Sequence, residues 1–342
     1  MTATGVQVLP SSSSGLEKPG SDPELSVVVI THNSVEFITT CLLAVTASER
    51  SGRLEIVVVD NGSTDGTVES VRGRFPAVRW VLPRERGGFA RNANLGIRAS
   101  RGRYVVLLNP DTALEPEALA ILRETLEAHP EAGAVGPLLV QENGVREASA
   151  RRFPSLARTL AQSLMLDRLL GSVPGMTSDL GRDAEQVRAV DWVTGACLMV
   201  RREAIEGNER HPRVGFLDDR IFMFVEDTEW CWRLRAAGWR VLYTPRARVL
   251  HHKGSGEGFR EWRYALNCRG HAYFFRKHRG VAAAWAYQVM LVPGLLLRAL
   301  IAALALPFRR SARPELARRI RGYLRLCVRV VSGRLDREER PE

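Results

Sequence analysis

Apolar residues in the first third of this chain come in short unbroken runs rather than in alternation with polar ones. The runs "LSVVVITHN", "LEIVVVDNGS", "VRWVLP" and "RYVVLLNPD" are separated by the helical patterns "FITTCLLAVTAS", "GTVESVRGRF" and "FARNANLGIRAS". A strand that is apolar on both faces is covered on both, so this β-α-β-α order predicts an α/β fold: a mostly parallel sheet sandwiched by helices. Three of the strands end in polar residues, at Thr31-His32-Asn33, Asp60-Asn61-Gly62-Ser63 and Asn109-Pro110-Asp111. One such ending is explained as a turn, since the residue before proline is extended, proline leaves the ladder and Asp caps the next element. Three at one edge of a sheet predict a polar crevice at the carboxyl ends of the strands, where nucleotides bind in such folds. No GxGxxG follows a strand and no GxxxxGK[ST] occurs, so the common phosphate loops are excluded; "ERGGFARNANLGI" has a glycine pair and a helix start at another spacing.

A second polar cluster lies in "DDRIFMFVEDTEWCWRLRAAGWRVLYTPRARVLHHKGSG". It predicts a helix opening at Glu226-Asp227 and Glu229, with Trp230, Leu234 and Ala237 at helical spacing and Gly238 as its stop. Acidic residues at a helix start favour the positive end of its dipole whatever else they do. Trp230, Trp232, Trp239, Phe222 and Phe224 read as packing residues. "VLYTP" and "ARVLHH" then read as two short strands, the second ending at His251-His252.

With 342 residues and 45% hydrophobic composition the chain buries a substantial core and has length left for an appendage. Its five cysteines (Cys41, Cys197, Cys231, Cys268, Cys327) are widely spaced and form no CxxC, which argues against a disulfide framework or a zinc knuckle and for a reducing setting. Residues 1–23, with "SSSSGLEKPGSDP", lack the features of a signal peptide and read as a disordered tail. The net charge of +11 is unevenly placed: His251–Glu342 holds 19 Lys and Arg against 7 Asp and Glu, a net +12, whereas residues 1–250 hold 30 against 31, a net −1. A near-neutral body (24–258) with a basic appendage (259–342) does not fit nucleic-acid binding. Within the appendage, the seventeen residues Val281–Leu297 carry no charge and are followed by Arg298 and "ALIAALALPF". Pro293-Gly294 and Arg298 predict two half-helices in or dipping into one leaflet of a membrane. Leu316, Ile320, Leu324, Cys327 and Val331 next repeat at helical spacing while Arg321, Arg325 and Arg329 line another face, a basic amphipathic helix. A helical subdomain packed on the body accounts for the same pattern.

Taken in order, "VVVITHNS", "IVVVDNGSTDGT", "GGFARNANLGI", "YVVLLNPDTAL", "VTGACLMVRREA", "FMFVEDTEWCWRLRAAGWRV" and "ARVLHHKGSG" resemble the motifs of the inverting, nucleotide-sugar-dependent glycosyltransferases of GT-A family 2, in particular its rhamnosyltransferase-like branch. The resemblance runs from about Leu25 to Gly256 and implies a GT-A, Rossmann-like catalytic domain. It implies that Asn109-Pro110-Asp111 stands for the DxD-like motif, with Asp111 the ligand of a Mg2+ or Mn2+ ion that neutralises the leaving diphosphate and Asn109 in place of the first acid. It places His251 as a further metal ligand, whose imidazole favours manganese; an ordinary satisfied histidine is the competing reading, and His252 is the lesser candidate of the pair. Asp60 corresponds to the carboxylate that accepts from N3–H of uracil or thymine, with Thr31, His32 and Asn33 lining the same pocket, although "DNGSTDG" is also a plain Asx turn. Arg91 and Asn94 fall at diphosphate and sugar contacts, and Arg86 stands where family members often have Asn. Asp227 corresponds to the general base that takes the acceptor hydroxyl's proton, with Glu226 as its support or substitute.

The expected function is transfer of a sugar, L-rhamnose from dTDP-rhamnose, from a dTDP- or UDP-sugar donor to a hydroxyl of a lipid-linked or cell-envelope glycan. The expected location is the cytoplasmic face of the cell membrane, held peripherally or by inserted C-terminal helices, with no nucleic-acid partner. The alternative is a non-catalytic GT-A-fold protein that binds or scaffolds glycans at the membrane, which the missing first acid of the metal motif leaves open.

Overall fold

The computed structural model describes residues 6–9, 23–48, 53–166, 186–252 and 261–333. Strand β1 (Val6–Leu9) comes first, followed by β2 (Leu25–Thr31), α1 (Ile38–Ala47), β3 (Leu54–Asp60), α2 (Thr67–Arg72), β4 (Arg79–Pro83), α3 (Phe89–Ala99) and β5 (Tyr104–Leu108). The parallel pairs β2 with β3, β2 with β5 and β3 with β4 realise the predicted rhythm. Every residue of β2 and β5 is buried, which is why their sequences show no alternation. One expectation fails at the edge of this sheet. Val6–Leu9, read from sequence as part of a structureless tail, pairs antiparallel with β4, because that strand leaves a row of backbone groups open and "VQVL" has the extended, β-branched character to fill it. The remainder of that tail, 1–5 and 10–22, lies outside the described residues.

Beyond β5 the order changes. β6 (Thr112–Leu114), α4 (Ala118–Ala128), β7 (Ala132–Val140), β8 (Arg146–Glu147) and β9 (Ala150–Arg151) precede α5 (Leu156–Ser163). β10 (Arg188–Val190), β11 (Trp192–Val193), β12 (Cys197–Arg201), α6 (Arg202–Glu206), α7 (Glu226–Ala236) and β13 (Arg240–His251) come next. Among the described residues the main sheet runs β1-β4-β3-β2-β5-β12-β7-β13-β10, with β6 on β13 and β8 on β7, while β9 and β11 form a separate ribbon. β12 is antiparallel to both of its neighbours, β5 and β7. The two strands expected at "VLYTP" and "ARVLHH" are one, β13. Its register against β7 shifts between Thr244 and Arg248, where Pro245 has no N–H to give the ladder, so the strand bulges and resumes.

The chain separates into two compact units. One comprises Met1–Arg151, Arg182–Phe222 and Glu226–Ser255 and contains the sheet; the other comprises Arg152–Gly181, Met223–Val225 and Gly256–Glu342. The second unit is built from α5, α8 (Glu261–Arg279), α9 (Val281–Ala305) and α10 (Arg313–Val331) around Phe275, Tyr287, Leu291, Leu295, Leu326 and Val330. Here the expectation of two half-helices is corrected, since α9 is one continuous helix of 25 residues with Pro293 inside it. A proline normally breaks a helix by removing a donor and crowding the preceding turn. Around this one the helix is braced from outside. Gly294 lets α5 approach so closely that a Cβ there would lie 2.6 Å from Ser163 O. Arg298 donates to Gly294 O at 2.9 Å and to Gln162 O and Ser163 O at 2.8 Å each, so its charge rests on the carbonyl end of α5.

Helix α3 is seated on the sheet by Gly96, where a Cβ would fall 2.2 Å from Val28 Cγ1 and 3.0 Å from Val59 Cγ2, both fully buried side chains. Gly96→Ala should therefore overpack this contact and cost about 1–3 kcal/mol. The check is a urea midpoint; an unchanged midpoint would mean that α3 does not lie this close to β2 and β3.

Candidate active site

The carboxyl ends of β2, β3 and β5 meet at one edge of the sheet, and the residues predicted from the three polar endings gather there. Asn61 N–H donates to Thr31 O at 2.8 Å, joining the first two endings. Asn33, at φ +49°, accepts from Thr64 N–H at 2.8 Å through Oδ1, and its own N–H goes to Ser63 Oγ at 2.9 Å. Asp60 is buried and accepts from Ser63 N–H at 3.0 Å and Ser63 O–H at 2.5 Å, so the Asx-turn reading of "DNGS" is realised. Thr31 Oγ1 and His32 Nδ1 are buried there without hydrogen-bond partners, and buried polar atoms in that state are the ones a ligand can satisfy. His32 Nε2 lies 2.8 Å from Arg86 Nη2 and is the acceptor in that pair. Burial, together with the Arg86 charge, holds the His32 pKa below its ordinary value, so the ring is neutral at pH 7.

The third ending is fixed by β12. Asn109 N–H donates to Ala196 O at 3.0 Å, extending the β5–β12 ladder one step, and Asn109 O accepts from Thr112 O–H at 2.7 Å. The pairing of β6 with β13 sets Thr112 opposite His251 and so brings Asp111 beside that imidazole. His251 Nε2 is 3.5 Å from Asp111 Oδ1, too long for a good hydrogen bond, and that oxygen is buried with no partner. Burial opposes protonation of His251, but the Asp111 and Glu147 carboxylates outweigh it and raise its pKa to about 9. His252 is turned elsewhere: its Nδ1 lies 2.6 Å from Glu142 Oε1 and its ring stacks on Phe37. A carboxylate oxygen facing an imidazole nitrogen is a donor set that suits Mn2+, and the unpartnered Asp111 Oδ1 fits such an ion. Among the described residues no group of three or more His, Cys, Asp and Glu side chains has metal-holding geometry.

The acidic cluster at the start of α7 divides into three roles. Glu229 is fully buried and held by Arg233, whose Nε lies 2.9 Å from Oε2 and whose other nitrogens donate to Val214 O and Phe216 O. That pair is structural. Asp227 accepts from Gly195 N–H at 2.9 Å and from Thr228 N–H at 2.6 Å. Burial raises its pKa, against those hydrogen bonds and the Arg151 charge, which favour the carboxylate. Glu226 is buried with Oε2 unpartnered; desolvation, then the Asp227 charge, push its pKa well above the usual range, so it is the neutral member of the pair. Just before them, Phe224 and Val225 hold φ +66° and +70°, a strained conformation for a β-branched residue.

Asn94 does not join this edge as the sequence suggested. It is buried, donating to Leu217 O and accepting from Leu217 N–H at 2.9 Å each, and mimics a strand partner for that segment. Arg91 is half exposed, 4.0 Å from Glu85, and stays available at the helix start. Sequence reasoning missed Asn61, whose amide donates to Gly87 O at 3.0 Å and accepts from Gly87 N–H at 2.8 Å, clamping the loop that carries Arg86. It also missed Gly195, which lies within "VTGACLMVRREA" without a role assigned to it, and Glu147, which belongs to none of the motifs.

The profile of the family described as Glycosyl transferase family 2 matches residues 26–207. The chain is 33% identical over 247 residues to an N-acetylglucosaminyl-diphospho-decaprenol L-rhamnosyltransferase of Mycobacterium tuberculosis (strain CDC 1551 / Oshkosh), covering 68% of this chain and 78% of that protein. It is 24% identical to rhamnosyltransferase WbbL of Escherichia coli (strain K12), over 66% of this chain and 82% of the other. Among solved structures it resembles mannosyltransferase PcManGT from Pyrobaculum calidifontis in complex with GDP-Man and Mn2+, with a TM-score of 0.55 and 21% identity, covering 92% of this chain and 88% of that one.

The three acids of α7 separate by stability. Glu229→Gln leaves the Arg233 charge without its counterion and should cost about 3 kcal/mol. Glu226 behaves oppositely, because a carboxyl whose pKa is raised on folding binds its proton more tightly in the native state, so its contribution worsens as pH rises above the unfolded value. Glu226→Gln should leave stability at pH 8 unchanged or higher and flatten its decline between pH 5 and 8, a window taken from the unfolded glutamate value of about 4.3 upward. Urea titrations at several pH values give the answer; a Glu226→Gln protein destabilised as much as Glu229→Gln would mean that Glu226 is ionised and paired.

Proposed function

The chain belongs to glycosyl transferase family 2, and from that premise we propose that it transfers L-rhamnose from dTDP-rhamnose to a hydroxyl of a lipid-linked glycan, with inversion at the anomeric carbon. One observation carries the reading. At the entry to β12, Ala196 O accepts from Asn109 N–H while the adjacent Gly195 N–H donates to Asp227. A two-residue step thus ties the turn bearing Asp111 to the carboxylate that would serve as base, which in-line displacement with one base requires.

In this reading the thymine base lies in the crevice of Thr31, His32 and Asp60, with Asn33 shaping the pocket wall. Thr31 Oγ1 and His32 Nδ1 are the atoms left for a ligand. Arg91, and Arg86 held by His32, are positioned for the diphosphate charge. Asp111 and His251 would hold a Mg2+ or Mn2+ ion, which when bound neutralises the departing diphosphate. Two protein ligands suffice where substrate phosphates complete the shell. Two N–H donors favour the charged form of Asp227 against its burial, and it takes the acceptor hydroxyl's proton as oxygen attacks the face opposite the diphosphate. Glu226, neutral and without hydrogen-bond donors on Oε2, supports it by not competing for that proton. The rhamnose donor and lipid-linked acceptor follow the relatives' names, the M. tuberculosis protein being named for an N-acetylglucosaminyl-diphospho-decaprenol substrate.

A lipid-linked acceptor calls for a membrane-bound enzyme. α9 is long and apolar enough to cross a membrane by length and composition. Val281, Trp285, Val289, Leu296, Leu300 and Leu304 form an exposed apolar row along it. We place this row in the lipid at the cytoplasmic face, with the arginines of α10 toward the headgroups.

Asp111→Ala should abolish transfer with no rescue by added Mn2+, and Asp227→Asn should lower transfer by roughly 10²- to 10⁴-fold while dTDP-rhamnose still binds. Transfer assays with purified protein decide; near-normal transfer in Asp227→Asn would move the base to Glu226. For the membrane, full-length protein should sediment with anionic vesicles and stay with them in 1 M NaCl, a salt concentration at which the screening length is only about 3 Å. Complete release at high salt would mean electrostatic attachment without insertion, and no sedimentation at all would remove the membrane from the proposal.

A further inference from the structure

His251 is held from behind. Its Nδ1 lies 2.9 Å from Glu147 Oε2, while its Nε2 faces the unpartnered Asp111 Oδ1 at 3.5 Å. Reaching it takes Glu147 past a strand. β7 bonds β8 along one side, with Leu139 opposite Glu147, and β13 along the other, with Leu139 opposite Val249. Glu147 therefore begins on the far side of β7 from His251, and its side chain passes over the strand end to meet the ring. Both side chains are mostly buried, at 27% and 17% exposure.

The neighbouring histidine is an internal comparison. His252 also has Nδ1 on a carboxylate, but Glu142 is 68% exposed and the His252 Nε2 is buried with no partner at all. Of the two, only His251 has its second nitrogen on Asp111. An imidazole offers one lone pair. A carboxylate on Nδ1–H selects the tautomer in which that lone pair is on Nε2, fixes the plane of the ring and strengthens the nitrogen as a donor. The need is acute here, because Asn109 stands where the first acid would be and, among the described residues, no third His, Cys, Asp or Glu ligand converges on the pair.

We propose that Glu147 is a positioning residue for the divalent cation, acting through His251: it aims Nε2 at the ion beside Asp111 and supplies, one bond further out, the negative charge missing at Asn109. The inference rests on the reading that Asp111 and His251 hold the metal.

The experiment titrates full-length protein with Mn2+ in the presence of dTDP, following free Mn2+ by electron paramagnetic resonance, and measures dTDP binding separately in EDTA. Glu147→Ala should weaken Mn2+ binding by about 10- to 100-fold and leave metal-free dTDP binding unchanged; Glu147→Gln, which keeps an acceptor for Nδ1–H but no charge, should lose less. Wild-type Mn2+ affinity in Glu147→Ala overturns the proposal, as does an equal loss of dTDP binding in EDTA, which would make Glu147 a prop for the pocket as a whole. If the alanine variant does not fold, the glutamine variant decides by the same two measurements, weaker Mn2+ binding sustaining the proposal and unchanged binding overturning it. Asp111→Ala separates the two layers: if it binds Mn2+ like wild type, the metal reading itself fails and the role of Glu147 falls with it.

Discussion

Where β12 runs antiparallel between β5 and β7, Cys197 stands opposite Leu108, and that register decides what the sheet edge can hold. The side chains of β5 and β12 are buried along the ladder, so the polar groups a ligand can meet lie where the ladder stops. Asn109 N–H takes the last rung on Ala196 O, and Gly195, one residue further, has no strand partner and gives its N–H to Asp227. A shift of one residue would flip the inward and outward faces of β12 and exchange the residues presented at the end of the ladder. The turn that carries Asp111 and the carboxylate of Asp227, far apart in sequence, are thus linked through the adjacent backbone groups of Ala196 and Gly195.

Burial then treats chemically similar groups differently. Glu226, Asp227 and Glu229 share the start of one helix, yet desolvation pushes Glu226 well above the usual range, N–H donors oppose the same push at Asp227, and Glu229 is paired with an arginine. The helix dipole favours all three equally and cannot distinguish them. What does is the number of donors within reach: two backbone N–H groups for Asp227, a guanidinium for Glu229, and none on Oε2 of Glu226. How far burial shifts Asp227 is a property of the loop around Gly195 as much as of the acid.

The strands, the polar edge and the α7 acids were legible because they rest on local patterns: unbroken apolar runs, turn chemistry at their ends, and helical spacing after Glu226. The features that were not legible depend on long-range pairing. Asn94 reads as a donor contact from its place in a glycine-rich helix start, and only the fold reveals Leu217, 123 residues away, consuming its amide. Glu147 belongs to no motif and acquires meaning by reaching over β7 to a histidine 104 residues later. Val6–Leu9 has too little sequence to announce a strand without the open edge of β4. At Pro245 the local signal was read as a break, whereas the sheet absorbs it as a bulge within β13.

Long-range contacts govern α9 in the same way. From sequence, Pro293 and Arg298 each count against a continuous apolar helix, one by geometry and one by charge. In the fold both are accommodated. Arg298 donates to Gly294 O, one residue past the proline, and gives the rest of its guanidinium to Gln162 O and Ser163 O at the end of α5. The charge is therefore placed against backbone dipoles inside the helical unit rather than on the exposed row of Trp285, Val289 and Leu296. An arginine in that arrangement leaves the apolar row uninterrupted, and an uninterrupted row is what burial in hydrocarbon demands.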